Sequence, residues 1–198
     1  MKTVLLSILG LFFVACSTTY PAITEYRITV PTLKQQALNS SCKEHTLKVS
    51  RVFVKSSLMS KEMKYVVGEY KEYAYNKSEW AEQPNKALSD MIVKVVEDSG
   101  IFAHVSSYKS FSSSDYTLET NVAEFTQHFS SDEKNSFVKI DMTFSLIDNN
   151  SAMVVASKHI VNEKKVTHPD AQSGVQALNE LLLSTLHEMT QWLAKGCK

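Results

Sequence analysis

Between residues 137 and 147 the chain alternates without a break. Val138, Ile140, Met142, Phe144 and Leu146 hold one parity, and Lys139, Asp141, Thr143 and Ser145 hold the other. Successive side chains on a strand point to opposite faces. This segment is therefore a strand with one apolar face and one wet face, and only its apolar face needs cover. A single wet face predicts a mainly antiparallel sheet. The apolar face predicts helices laid across it.

The rest of the chain supplies those parts. Residues 22–30, 45–54, 101–105 and 153–161 read as further strands. Residues 33–44 and 108–114 read as loops, and Asp148-Asn149-Asn150-Ser151 as a turn. Residues 63–67 and 70–75 read as hairpin arms around Gly68-Glu69. Residues 115–129 read as a long strand whose apolar parity slips between Val122 and Ala123, which predicts a bulge. Pro84 opens a helix with Ala87, Leu88, Met91, Ile92, Val95 and Val96 on one face, and Gly100 stops it. A second helix runs over 171–195 with Val175, Leu178, Leu182, Leu186, Met189 and Leu193 as its stripe. The fold class expected is α+β: a single domain, a mainly antiparallel sheet, and two amphipathic helices packed on it.

Composition removes several kinds of chemistry. In 198 residues, 21 Lys and Arg balance 21 Asp and Glu, so no basic footprint for nucleic acid exists. The glycines stand far apart, at 10, 68, 100, 174 and 196, which excludes the clustered glycines of a phosphate-cradling loop. Cysteines at 16, 42 and 197 form no CxxC pair. His187 opens a near match to HExxH, but Gln191 replaces the second histidine, so no metal site is expected. No serine sits in GxSxG, and Glu124, Asp132, Glu133 and Asp141 nominate no acid pair. The chain is expected to be no enzyme and to hold no cofactor.

The first residues read as an address. Met1-Lys2 precede an apolar run to Val14, too short to span a bilayer at ~20 residues and suited to a signal-peptide core. The run ends Phe13-Val14-Ala15-Cys16 and continues Ser17-Thr18-Thr19. A cysteine after small residues resembles the bacterial lipobox, with Phe13 where Leu is usual. Residues 1–15 would be removed, Cys16 acylated, and 16–21 left as a tether. The alternative is an ordinary leader cut elsewhere. Each buried methylene contributes ~0.8 kcal/mol, so two or three palmitate-type chains anchor durably. Ser17 in place of Asp favours the outer membrane, on the periplasmic side. At ~3.5 Å per residue the tether reaches less than ~20 Å.

Two further groups are candidates. Tyr65, Tyr70, Tyr73, Tyr75 and Trp80 crowd the hairpin segment, and one strand face cannot bury all of them. Tyr70, Tyr73, Tyr75 and Trp80 are therefore candidate partner-binding residues; the alternative is core packing beneath the first helix. With Cys16 acylated, Cys42 and Cys197 are the remaining thiols in an oxidising compartment, which favours a disulfide between them; the alternative is two free thiols.

The run 65–105, with Trp80-Ala81, Pro84 and Ser99-Gly100-Ile101-Phe102, resembles the ABC-type transport auxiliary lipoprotein family. Asp115-Tyr116-Thr117-Leu118 and Glu124-Phe125 fit the family's next strand, and Cys16 fits its address. Glu79 stands where Arg is common, and Gln83 where Pro is usual. The family includes the lipoprotein of the paraquat-inducible (Pqi) system, the partner of mammalian-cell-entry (MCE) domain proteins. The resemblance implies that residues 22–198 form an auxiliary lipoprotein domain. It would be a non-enzymatic outer-membrane component of an ABC-driven lipid transport system, docking the MCE protein that bridges the periplasm. A homo-oligomer is open. Another periplasmic lipoprotein, an assembly factor for lipopolysaccharide or a secretion channel, is the alternative function.

Overall fold

The structure, a computed structural model, describes residues 22–31 and 39–197. The leader, Cys16 and the tether lie outside the described residues. In chain order the elements are β1 (Thr24–Tyr26), β2 (Thr46–Val49), β3 (Phe53–Val54), β4 (Glu62–Val67), β5 (Lys71–Trp80), α1 (Pro84–Ser99), β6 (His104–Ser107), β7 (Tyr116–Phe129), β8 (Ser136–Asp148), β9 (Met153–Lys165) and α2 (Ala171–Leu193). A short 3-10 turn covers Ser56–Leu58.

The fourteen residues of β7 form the spine of one nine-stranded mixed sheet. Along one edge β8 pairs antiparallel, from Tyr116↔Asp148 to Phe129↔Ser136. Along the other edge β2, β3 and β4 follow one another, all parallel to β7, at Leu47↔Tyr116, Phe53↔Asn121 and Tyr65↔Gln127. The chain from β2 to β4 thus behaves as one long strand with two detours. At the first detour the Val52 N–H leaves the ladder and donates to Ser89 Oγ on α1, at 3.0 Å.

The bulge read from the sequence is present: the β7–β8 register shifts between Val122 and Glu124. Leu118, Val122, Phe125 and Phe129 are all buried on one face in consequence. Both helices cover that face. Leu88, Ile92 and Val96 of α1 and Leu182, Leu186 and Met189 of α2 are fully or almost fully buried, each worth ~1.5–3 kcal/mol of transfer free energy. Gly100 ends α1 with φ of 63°, a left-handed conformation that costs glycine little. Asp170 caps α2 by accepting the Ser173 N–H at 2.7 Å.

The α+β class, the single domain and the two helices hold. The expectation of a mainly antiparallel sheet does not: among the described residues five of the eight strand pairings are parallel. Antiparallel pairing is confined to the β4–β5 hairpin and the long β7–β8–β9 meander. The physical reason is that a wet face reports one-sided cover, and cover does not depend on strand direction. Strand limits also move. The strand read over 22–30 shrinks to β1, that over 45–54 splits into β2 and β3, and that over 101–105 shifts to β6.

The long edge strand β9 carries its own protection. Lys158 and Lys164 stand opposite Phe144 and Val138, on the helix side of the sheet. They pair with Glu188 at 2.9 Å and Glu180 at 2.8 Å on α2. Inward-pointing charge on an edge strand opposes edge-to-edge association.

Candidate functional site

The β4–β5 hairpin turns at Gly68, whose φ of 63° suits glycine, and the Gly68 N–H is held by the Phe129 carbonyl at 3.0 Å. Tyr65 pairs with Tyr73 across the hairpin and with Gln127 on β7. Side chains two apart share a face, so Tyr65, Tyr73 and Tyr75 all lie on the helix side. Ring centroids are 5.7 Å apart for Tyr65–Tyr73, 4.5 Å for Tyr65–Tyr75 and 5.2 Å for Tyr65–Phe129. Helix α2 begins only at Ala171 and leaves the outer part of this cluster open. Tyr73 is 47% exposed, and Tyr70, in the hairpin turn, is 92% exposed.

The inner edge of the cluster is bolted to the core. The Tyr75 hydroxyl donates to Gln127 Oε1 at 3.0 Å. The Gln127 amide donates to Ser136 Oγ at 3.0 Å and to the Asp170 carbonyl at 3.3 Å. Gly174 on α2 lies so close that a Cβ there would stand 1.8 Å from Gln127 Oε1. Burial, then the neighbouring Tyr65, raises the Tyr75 pKa well above its ordinary 10.0, so the phenol keeps its proton. At Tyr70 the Glu69 carboxylate, hydrogen-bonded to the phenol, raises the pKa.

Of the four candidate partner-binding residues, the structure brings Tyr73 and Tyr75 together and leaves Tyr70 at the rim. Trp80 is not part of this surface. It is buried, 4% exposed, with its ring 5.9 Å from Phe125. The reason is position: Trp80 ends β5 on the helix side, over the middle of the sheet, where the helices cover it. Tyr65 is the member the candidate set lacked; its cross-strand pairing with Tyr73 is the signal that finds it.

Cys42 and Cys197 form a disulfide with Cα atoms 5.1 Å apart. Both are buried. Ser41 reinforces the junction through its N–H to the Ala194 carbonyl at 3.0 Å and its Oγ to the Cys197 carbonyl at 2.9 Å. The open sheet face carries polar contacts: a His128–Glu124 hydrogen bond at 2.5 Å, a Lys139–Glu124 ion pair at 3.2 Å and a His159–Asp141 hydrogen bond at 2.9 Å. His187 hydrogen-bonds Gln191 one helical turn on, at 2.9 Å. Among the described residues no three His, Cys, Asp or Glu side chains gather as a metal site. No described helix is long and apolar enough to cross a membrane.

These features define a class: an α+β domain with its ends tied by a disulfide, presenting an aromatic hairpin beside the start of its last helix. The chain belongs to the family of ABC-type transport auxiliary lipoprotein components, whose model matches residues 26–190. That membership agrees with the address read in the sequence and makes the protein a lipid-anchored one outside the cytoplasm. No curated protein matches the chain. Protein XCC0632 from Xanthomonas campestris shares the fold with a TM-score of 0.77 at 22% identity, over 86% of this chain and 94% of that one. A second crystal structure, of an uncharacterised protein, has a TM-score of 0.66 at 16% identity, over 87% of this chain and 99% of that one.

Proposed function

We propose that this lipoprotein is the non-enzymatic, outer-membrane component of an ABC-driven lipid transport system, and that it docks the MCE-domain protein that bridges the periplasm. The observation that carries the docking is the aromatic hairpin. Tyr73 and Tyr70 are exposed, while Tyr75 beneath them is fixed to Gln127. Aromatics that are rigid before binding lose little entropy when a partner covers them. Ser17 after Cys16 supports outer-membrane delivery, and membership in an auxiliary family of ABC transport supports the machine.

The test is co-purification of the full-length lipoprotein with an MCE protein encoded beside it. The Tyr70→Ala/Tyr73→Ala variant should bind at least ~30-fold more weakly, as for an interface anchor, with only the small drop in melting temperature that loss of one cross-strand aromatic pair brings. Undiminished co-purification of that variant would reject the hairpin as the dock. Absence of any MCE protein from the wild-type complex would reject the partner. Cys16→Ala should leave the protein unprocessed and absent from the outer membrane; normal fractionation would sink the anchor.

A further inference from the structure

The point where the described chain starts limits which surface meets the anchoring bilayer. Residues 16–21 alone separate Cys16 from Ala22. An acyl anchor at Cys16 therefore holds Ala22 within about 20 Å of the membrane surface. Three exposed apolar side chains belong to this corner of the molecule. Ile23, the next residue, is 57% exposed, Phe53 58% and Met59 53%. Phe53 and Met59 line one cleft. Lys61, two residues after Met59, places its Nζ 3.3 Å from Glu25 Oε1, and Glu25 is two residues after Ile23.

The strand registers put this patch on the side of the sheet that the helices leave open. Val54 stands opposite Val122, which is fully buried beneath the helices. Phe53, opposite the exposed Asn121, therefore points to the other side. Tyr26 pairs with the buried Trp80 on the helix side, so Glu25 also lies on the open side. The rings of Tyr73 and Tyr75 look the opposite way, and the patch and the hairpin can be covered at the same time.

Charge gives an independent observation. Along 51–55 exposure alternates: Arg51, Phe53 and Lys55 are exposed, Val52 is buried and Val54 half-buried. One aromatic ring thus stands between two cations on one face. Neither Arg51 nor Lys55 has an ion pair among the described residues. Of the acids nearby, Glu25 is held by Lys61 and Glu62 faces Lys64 at 4.0 Å. Apolar side chains flanked by unpaired cations suit a lipid–water boundary, where the cations meet phosphate and the apolar groups enter the acyl edge. We propose that this corner rests on the bilayer that anchors the protein, with Ile23, Phe53 and Met59 at the acyl boundary and Arg51 and Lys55 on phospholipid phosphates. The inference rests on the anchor at Cys16.

The experiment uses the full-length processed lipoprotein in vesicles of phosphatidylethanolamine with phosphatidylglycerol, after intact mass has verified its acylation. A benzophenone amino acid replaces Phe53, Met59, Tyr73 or Phe111, one position in each preparation; Tyr73 and Phe111 are exposed as well, outside the patch. Benzophenone inserts into C–H bonds on irradiation, and insertion into the protein's own anchor adds no mass. Positions 53 and 59 should gain the mass of a phospholipid severalfold more often than 73 and 111. Arg51→Gln/Lys55→Gln should lower the adduct at 59 by ~5-fold or more, the effect of a single cation at an anionic surface, while the acyl chains keep the protein on the vesicle. Equal yield at all four positions, or an excess at 73 or 111, would overturn the proposal. Yield at 59 indifferent to the double substitution would overturn it as well. An unacylated chain would reject the anchor and the proposal with it, and intact mass shows that before irradiation. The vesicles hold no MCE partner, so the result is separate from the docking proposal.

Discussion

Removing the Cys42–Cys197 disulfide should cost substantial stability while leaving every helix and strand in place. The bridge spans a sequence separation of 155 residues. Restricting an unfolded chain over a loop of that size is worth about 5 kcal/mol by loop-closure entropy, and measured bridges more often give ~2–4 kcal/mol. The native state loses little besides the covalent bond, because both Ser41 hydrogen bonds to the end of α2 remain. The variant should be Cys42→Ala/Cys197→Ala, so that no lone buried thiol is left. Against a typical total of ~5–15 kcal/mol, a loss of ~2–4 kcal/mol lowers the urea midpoint clearly. The same argument requires the m-value to rise, since an unbridged unfolded chain exposes more surface. Alkylation of the native, unreduced parent should modify neither cysteine. An unchanged midpoint and m-value in the double variant, or two alkylated cysteines in the folded parent, would refute the reasoning.

Trp80→Ala should lower stability by ~3–5 kcal/mol, as for a large buried aromatic, and leave partner binding by the remaining folded protein intact; thermal melts and co-purification read the two. Gly174→Ala should lower the melting temperature, because the new methyl drives Gln127 off three hydrogen bonds; overpacking of ~1–3 kcal/mol exceeds a helix-propensity gain of at most ~1 kcal/mol. Shortening the obstruction with Gln127→Ala in the same chain should make the glycine replacement harmless. The Asp115 pKa is lowered from 3.8 by the backbone and side-chain hydrogen bonds of Thr46, so its contribution is complete above that value and is lost as pH falls through the lower native one. Asp115→Asn should flatten the acid side of a urea-midpoint profile below about pH 4 and leave the alkaline side unchanged.

How much of this fold a reader of the sequence could see depends on which interactions are local. The alternation in β8 and the parity slip in β7 are written in neighbouring residues, and both elements stand where that pattern puts them. The helices are equally legible, because Pro84, Gly100 and a stripe at helical spacing act within one segment. The chain from β2 to β4 is different. Its pairing to β7 is parallel and distant, and periodicity reports which face is apolar but not which strand lies alongside or in which direction it runs. The break after Val49 depends on the Ser89 hydroxyl, 37 residues beyond Val52. No local pattern marks that residue as a strand-breaker. The burial of Asn85 is illegible for the same reason: it reads as an ordinary residue of a first helical turn until the detour closes over it.

The candidate dock shows the same division, and also why it is rigid. The crowding of aromatics in the hairpin segment is visible in the sequence, but not which ring stays outside. Trp80 and Tyr75 both point to the helix side, yet the helices bury one and only half cover the other. What separates them is where α2 starts. Its first residues are held to the sheet by Gln127, through the Asp170 carbonyl and the close approach of Gly174. Its last residues are held by Ser41 and the disulfide. A helix pinned at both ends cannot slide toward the hairpin to cover Tyr73. The exposed aromatic edge is therefore a fixed feature of the native state, and its apolar area is available to a partner without a prior rearrangement. Binding there would gain the transfer free energy of that area with little ordering cost.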